Sequence, residues 1–532
     1  MALALAYEAA PAFDSALEVL PSAGFPLAWM AAFVERSAAG STFTTELRYQ
    51  VSEWDPQVTG EQYRQAIRAI RNYIESGDTY QVNFTFPLHG VLCGDAFHCF
   101  RSLAESERPA YAAYLDIGSH RILSFSPELF VERRGNRLIT RPMKGTMSRG
   151  RWLEEDVART AELKSSSKDR AENVMIVDLM RSDLGKVAQT GSVEVTDLFA
   201  VESLSRVLQM TSTVTAAQKS DVTIVDILRA VFPCGSVTGA PKSRSMEIIG
   251  ELEQAPRGIY TGAIGLLHPN SDAVFSVPIR TLAVERDGTA TFGVGGAITW
   301  DSTADGEYEE CRLKAKFLTD PWPDFDLLET MALEHGEYTL LDRHLRRARD
   351  SARYFGFRWS DGDVLAALEE VSTMHPQGSW RVRLTVGREG EARAKAAPLL
   401  ETGNEPRMVK FASCAIDDRD PLVFHKTTAR ARYDSELELC RPCDDVIFWN
   451  DRGEVTESTI ANVVVFSAGK HWTPSRDAGL LAGTLRDELI SKGALYERTI
   501  TKSELEKAGS FFLINSVRGW MPAQFDSTNS QV

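Results

Sequence analysis

Phe232-Pro-Cys-Gly-Ser-Val-Thr-Gly-Ala-Pro-Lys-Ser-Arg244 is the stretch from which the rest of this chain is read. Its small residues let backbone N–H groups approach an anion, and Lys242 adds a cation where a helix is expected to begin. A weaker turn of the same kind is Gly293-Val-Gly-Gly-Ala297. Outward from these lie two pairs of acids. Asp169 and Glu172 are three residues apart, as are Glu307 and Glu310. On helices each pair shares a face. Brought together, the faces would make an oxygen-rich pocket suited to Mg2+; kept apart, they are two solvated helix surfaces. Spacing alone favours the second.

The 532 residues carry 59 basic and 74 acidic side chains, a formal net charge of −15. That balance argues against nucleic acid and anionic membrane as partners, since both reward basic surface. With 43% hydrophobic and 25% charged residues, the chain can bury large cores and form two to four domains of about 150 residues. No apolar run is long enough for a membrane helix. Met1-Ala-Leu-Ala-Leu-Ala-Tyr-Glu8 lacks a cationic leader flank, and seven cysteines make a sparse, odd set. A cytoplasmic protein is expected. Cys440-Arg-Pro-Cys443 has zinc or redox spacing, but without a second such pair it reads as two free thiols.

The fold class expected is mixed α/β (α+β) in both halves. Residues 61–76 place Tyr63, Ile67, Ile70 and Ile74 on one helical face, with Gly77 as the stop. Segments 121–132, 136–141, 273–285 and 289–299 read as strands, as do 381–386 and 446–450; residues 340–356 and 307–318 read as helices. Pro321-Trp-Pro-Asp324 interrupts the pattern and suits a linker. The expected organisation is a domain over 1–320, a linker over 321–324, and a second domain over 325–532, divided into a small subdomain 325–425 and a large one 426–525.

Taken in chain order, several segments resemble the chorismate-utilising enzyme family. They are Gly77 to Asn83, Ser126-Pro-Glu-Leu-Phe130, Pro142-Met-Lys-Gly-Thr146, Lys168 to Leu184, Phe232 to Arg244, Arg257 to Gly262, Ile279-Arg-Thr281 and Asp301 to Lys316. The resemblance spans roughly 60–320 and implies an α/β sandwich with a buried cleft. It implies that Asp169, Glu172, Glu307 and Glu310 hold Mg2+ against a substrate carboxylate. Gly145, Thr146, Gly239, Lys242, Tyr260, Arg280, Gly295 and Gly296 would bind the dianion chorismate. Anthranilate synthases carry a small residue where Lys144 stands, and isochorismate and salicylate synthases carry a lysine that acts as a base on water; this half is similar to aminodeoxychorismate synthase component I, which also has the lysine. There it is the nucleophile that adds to ring carbon 2 as the carbon-4 hydroxyl leaves, with Glu128 as general acid and ammonia then attacking carbon 4. The amine must be neutral and the acid protonated, so burial has to move both pKa values. Gln209, Ala297 and Ser182 depart from the family's usual His, Gly and Asn.

Residues 325–523 resemble the fold-type-IV pyridoxal-phosphate enzymes, through Phe325 to Met331, Leu341 to Ala352, Phe424-His-Lys-Thr427, Asn450 to Asn462, Leu480 to Arg486 and Asn515 to Gly519. The resemblance implies that Lys426 is the Schiff-base lysine and that Glu457 pairs with the pyridine nitrogen. Arg347, Ser458, Thr459, Ile460, Gly483 and Thr484 would take the phosphate. Ala482 replaces a frequent proline. These motifs are shared by aminotransferases and aminodeoxychorismate lyase; the fusion favours the lyase, whose substrate is the first half's product. Together the halves would make p-aminobenzoate, a folate precursor. The rivals are an isochorismate-, salicylate- or anthranilate-type synthase fused to an aminotransferase, and a non-catalytic partner of a glutaminase. No Gly-x-Cys-x-Gly elbow is present, so ammonia would come free or from a separate glutamine amidotransferase subunit. A homodimer through the pyridoxal-phosphate domain is expected by analogy.

Overall fold

A computed structural model describes residues 1–35, 37, 49–400 and 405–526. The chain forms two compact units. One is Met1–Arg149 with Arg159–Trp322; the other is Gly150–Ala158 with Pro323–Val532. The main division falls between the residues of the proline-rich seam. The excursion Gly150–Ala158 departs from a 1–320 domain. Trp152 is the reason: its ring packs 5.0 Å from that of Phe424, and Arg151 pairs with Asp477 at 2.7 Å.

The first unit is built on two antiparallel sheets. One runs, in spatial order, Met143–Ser148, Val207–Ala217, Arg137–Arg141, Leu129–Arg134, Ala273–Ser276, Ala263–Leu267, Ala2–Leu5, Ala28–Ala31, with Glu194–Ser203 also on Val207–Ala217. The other centres on Gln81–Gly94 paired with Thr289–Ile298, then Thr281–Glu285, His120–Ser126 and Tyr111–Asp116. The helix Ser167–Gly185 lies on the first sheet and contributes Ile176, Val177, Met180 and Leu184 to its core. Helices Gly60–Glu75, Ala96–Glu107 and Ala304–Thr319 cover the second, which turns Val82, Phe84, Phe86, Phe292 and Val294 toward them.

Two expected strands are broken. Residues 121–132 divide at Pro127-Glu128, and 273–285 at Val277–Arg280, which contains Pro278. Proline cannot donate to a ladder, so each strand stops there. The helix expected at 61–76 is Gly60–Glu75, with a Thr59–Gln62 capping box and Gly77 at φ 80° beyond its end.

In the second unit, the antiparallel sheet Glu337–Tyr338, Leu327–Glu334, Ser379–Val386, Ala392–Pro398 packs with helices Leu341–Phe355 and Asp361–Met374. A mixed sheet runs Val455–Ser458, Asp445–Trp449, Arg407–Phe411, Gly519–Phe525, Ser510–Asn515, Asn462–Ser467, Lys470–Pro474, Tyr496–Arg498. A further pairing, Glu457 with Asn462, closes its first six strands into a ring. Arg407–Phe411 pairs in parallel with Asp445–Trp449 and Gly519–Phe525. The larger subdomain therefore begins before 426, correcting the expected boundary: a parallel partner is supplied from far along the chain and leaves no local signal. Among the described residues no helix is long and apolar enough to cross a membrane.

Candidate active sites

In the first unit, Glu128 stands at a break between strands and Lys144 on a strand. Glu128 follows Pro127 and is 2% exposed; Lys144, on Met143–Ser148, is 8% exposed. Burial pushes the Glu128 carboxyl up to about 7, against a Ser236 hydrogen bond and the Lys144 charge that favour the carboxylate. Burial likewise lowers Lys144, against Glu128 and Glu172. Two groups that would be fully charged in water are thus both moved toward neutrality. Among the described residues, Glu128 Oε1 has no hydrogen-bond partner. Ser236 comes from the glycine-rich turn, which also brings Cys234 near Lys144 and Glu128.

Around this pair stand the acids. Glu172 accepts from Thr299 Oγ1 at 3.4 Å, and burial raises its pKa, with Asp169 and Glu307 adding repulsion. Glu307 is raised by burial and by Glu310. Glu310 is lowered by Lys314, whose Nζ lies 2.8 Å from its Oε1 and donates to Gly295 O at 2.7 Å. Asp169 accepts from Ser166 Oγ. Among the described residues no three His, Cys, Asp or Glu side chains are grouped closely enough to hold a metal ion as they stand. As they stand, Lys314 engages Glu310 and the helix-capping Ser166 engages Asp169. The donor chemistry fits a hard divalent cation, because all four groups are carboxylates, two of them raised by burial and by mutual repulsion.

The anticipated substrate residues divide. Gly145 sits at φ 92°, where a Cβ would come 3.0 Å from Asp169 Cβ. Gln209 holds the same turn, donating to Gly145 O at 2.9 Å and accepting from Thr146 Oγ1 at 3.0 Å. A Cβ on Gly296 would meet Glu307 Oε2 at 3.2 Å, and one on Gly295 would strike Phe84 O at 2.4 Å. Gly239 abuts Gln81 O, 2.2 Å from where its Cβ would be. Tyr260 is buried with its ring against Gly293. Arg280, at φ 51°, has its pKa lowered by burial, with Glu107 opposing the shift and Arg206 adding to it. Lys242 donates its ammonium to Asp183 at 2.6 Å and to Val231 O at 2.9 Å.

In the second unit, Lys426 follows the turn Pro421–Phe424, and its carbonyl accepts from Leu328 N at 2.9 Å. Burial, then the Arg347 charge, pushes its amine down to about 8. Glu457 Oε1 accepts from Tyr433 Oη at 2.8 Å and Oε2 from Leu481 N at 3.2 Å; burial nevertheless raises the acid to about 7. Arg347 donates to both oxygens of Glu329, at 2.8 and 2.7 Å, and to Ala482 O at 3.1 Å. Gly483 caps the helix Thr484–Ser491, and a Cβ there would fall 2.2 Å from Asn462 Oδ1. Ser458 Oγ accepts from Ala461 N at 3.1 Å. Thr459 donates both its hydroxyl and its backbone N–H to Asp445, at 2.6 and 3.1 Å, and Ile460 is 46% exposed.

Residues 17–320 match the chorismate binding enzyme family. The chain belongs to that family. Residues 326–524 match the class IV amino-transferases. Across 259 residues, the chorismate-binding unit is 43% identical to the aminodeoxychorismate synthase component 1 of Escherichia coli (strain K12), covering 49% of this chain and 57% of that protein. Identity to the same-named protein of Bacillus subtilis (strain 168) is 42% over 257 residues, covering 48% and 54%. The chain thus spans little more than half the length of these curated relatives. The crystal structure of anthranilate synthase component I from Streptococcus pneumoniae TIGR4 superposes with a TM-score of 0.51 at 27% identity, covering 60% of this chain and 80% of that one.

Several residues of the chorismate-binding unit and its class IV companion escaped the sequence reading. Lys314 was detectable as the i+4 partner of Glu310. Ser236 lay inside the glycine-rich stretch, and Glu329 and His344 inside quoted segments, without a spacing that singled them out. Tyr433 had no local signal. The class IV site fits pyridoxal phosphate on three observations: a buried amine of lowered pKa, a raised acid held by two donors, and an Arg beside a helix start that only glycine could cap.

Proposed function

We propose that the first unit aminates chorismate at carbon 4 to 4-amino-4-deoxychorismate and that the second removes pyruvate from that product to give p-aminobenzoate. The observation that carries the reading is the Lys144–Glu128 pair, an amine and an acid buried together and each driven toward its neutral form. A neutral Lys144 Nζ can add to ring carbon 2. A protonated Glu128 can hand its proton to the departing carbon-4 hydroxyl. Ammonia then takes carbon 4 and the lysine leaves. Glu172, Glu307 and Glu310, with Asp169, would hold Mg2+, which supplies positive charge for a substrate carboxylate. Gly145, Thr146, Arg280, Tyr260, Gly239 and the Gly295-Gly296 turn would line the substrate. Ammonia would be free or delivered by a separate glutamine amidotransferase.

In the second unit bound pyridoxal phosphate would supply an electron sink. Lys426 would carry it and move the carbon-4 proton; Glu457 would face the ring nitrogen; Arg347 and Thr484 would face the phosphate, with the turns Ser458–Ile460 and Gly483 lining it. Amino-group transfer is the rival for this unit, favoured by its class IV amino-transferase match.

Chorismate, ammonium and Mg2+ with and without pyridoxal phosphate separate these readings. p-Aminobenzoate plus pyruvate is expected with the cofactor, and the aminated intermediate without it. Lys144→Ala should stop both steps and Lys426→Ala only the second. Isochorismate or salicylate as product, or an amino acid released in place of pyruvate, would overturn the corresponding half.

A further inference from the structure

Beneath the proposed phosphate site lies a buried polar chain that the mechanism above does not use. Glu329 and His344 are each 1% exposed. Besides the two bonds from Arg347, Glu329 Oε2 lies 2.6 Å from His344 Nδ1. His344 Nε2 lies 3.1 Å from Thr484 Oγ1 and 3.0 Å from Ser516 Oγ. His344 and Arg347 are three residues apart on the helix Leu341–Phe355, so one helix face serves both ends of the chain.

The hydrogen positions follow from what each group can do. A carboxylate only accepts, so Nδ1 carries the hydrogen that points at Glu329. In a neutral imidazole Nε2 is then an acceptor, and the Thr484 and Ser516 hydroxyls beside it can meet it only by donating. A Thr484 so engaged has no hydrogen left for an anion. A phosphate dianion, all acceptors, needs that hydrogen. Protonation of Nε2 reverses the bond: the ring donates to Thr484 Oγ1, and the hydroxyl hydrogen is released toward the ligand. The proton comes from solvent and no covalent bond between heavy atoms changes.

The surrounding charges set the balance. Burial lowers the His344 pKa; Glu329 opposes this, while Arg347 and Lys426 reinforce it. From the helix Thr484–Ser491, Asp487 and Glu488 are paired with Arg343, at 2.8 and 2.6 Å. Glu329 stays ionised: burial pushes it up, but Arg347 and His344 outweigh that and hold it at about 2. An arriving dianion adds negative charge beside this set and so favours the cationic form of the ring.

Resting on the reading of this unit as a pyridoxal-phosphate domain, we propose that Glu329 and His344 form a proton-linked anchor. It takes up one proton when a phosphomonoester dianion binds and so joins Arg347 and Thr484 into a single phosphate clamp. His344 and Glu329 are positioning residues; neither need touch the reacting atoms.

The test is titration calorimetry of the full chain at about pH 8, where a phosphate monoester with a second pKa of about 6 is already a dianion. Two buffers of different ionisation enthalpy report the protons exchanged. Pyridoxal phosphate is compared with pyridoxal, which shares the aldehyde and lacks the phosphate. An excess proton uptake approaching one per site is expected for the phosphorylated form alone. His344→Gln should remove the excess and weaken pyridoxal phosphate roughly ten- to a hundredfold, the worth of one hydrogen bond to a charged group, with pyridoxal unaffected. Thr484→Val, which keeps the Glu329–His344–Arg347 contacts, should do the same and guards against misfolding of the first variant. No excess in the native chain, or an undiminished excess in both variants, would overturn the anchor while leaving the cofactor assignment standing. Failure of the native chain to bind pyridoxal phosphate at all would overturn both.

Discussion

Glu128 and Lys144 illustrate how one physical cause serves opposite chemistries. Burial penalises charge, so it raises an acid and lowers an amine. Neither shift requires a special partner; it requires only that both side chains be placed where water is scarce. The sign for activity follows. With Glu128 at about 7, the protonated fraction falls as pH rises through neutrality, so the amination rate should decline above about pH 7. Glu128→Gln should flatten that alkaline limb and cost roughly a hundred- to ten-thousand-fold in rate, the usual worth of a general acid. A pH–rate profile with ammonium held saturating checks this, and an unchanged limb in the variant would assign it to another group. In the second unit, Lys426→Ala should abolish the yellow colour of the cofactor-loaded chain while leaving chorismate amination intact.

The elements explain why those residues meet. Pro127 and Pro278 stop two strands, and Glu128 and Arg280 sit at the stops, free of the alternation that would send a side chain to either face. The turn after Lys144 depends on Gly145 at φ 92° beside Asp169. Gly145→Ala should cost about 1–2 kcal/mol from the left-handed backbone alone and displace Asp169. A lowered melting temperature together with weaker chorismate binding is the expected result; a change in only the first would leave the turn a purely structural feature. A second test concerns the buried pair Arg257–Glu253, 2.6 Å apart and at most 3% exposed. Glu253→Ala strands the guanidinium and should destabilise the chorismate-binding unit by about 3–5 kcal/mol, read by denaturant unfolding.

At the scale of the molecule, the two units are not consecutive stretches of sequence. Trp152 lies in the numbering of the first and packs in the second, its ring tilted 46° against Phe424 and under the Arg476 guanidinium at 4.3 Å. Calorimetry should resolve two unfolding transitions. Pyridoxal phosphate at one hundred times its Kd should stabilise one of them by about 2.7 kcal/mol. Trp152→Ala should lower the transition that the cofactor raises. If it lowers the other, the excursion contributes nothing to the class IV unit.

Sequence by itself determined the mixed fold class and most element positions, because hydrophobic periodicity and capping are local. Helices at 60–75 and 341–355 and the paired strands of the chorismate-binding unit follow from residues within a few positions of one another. It also carried the family, through motifs read in order. Only the tertiary structure decided which charges face which. Lys242 turned to Asp183, Lys314 took Glu310, and the excursion through Trp152 crossed to the other unit, since each depends on a partner brought near by packing rather than by spacing. The Glu329–His344–Thr484 chain belongs to the same class: its ends are 155 positions apart in the numbering, from 329 to 484, and the balance of burial against charge that governs it exists only once the core has excluded water.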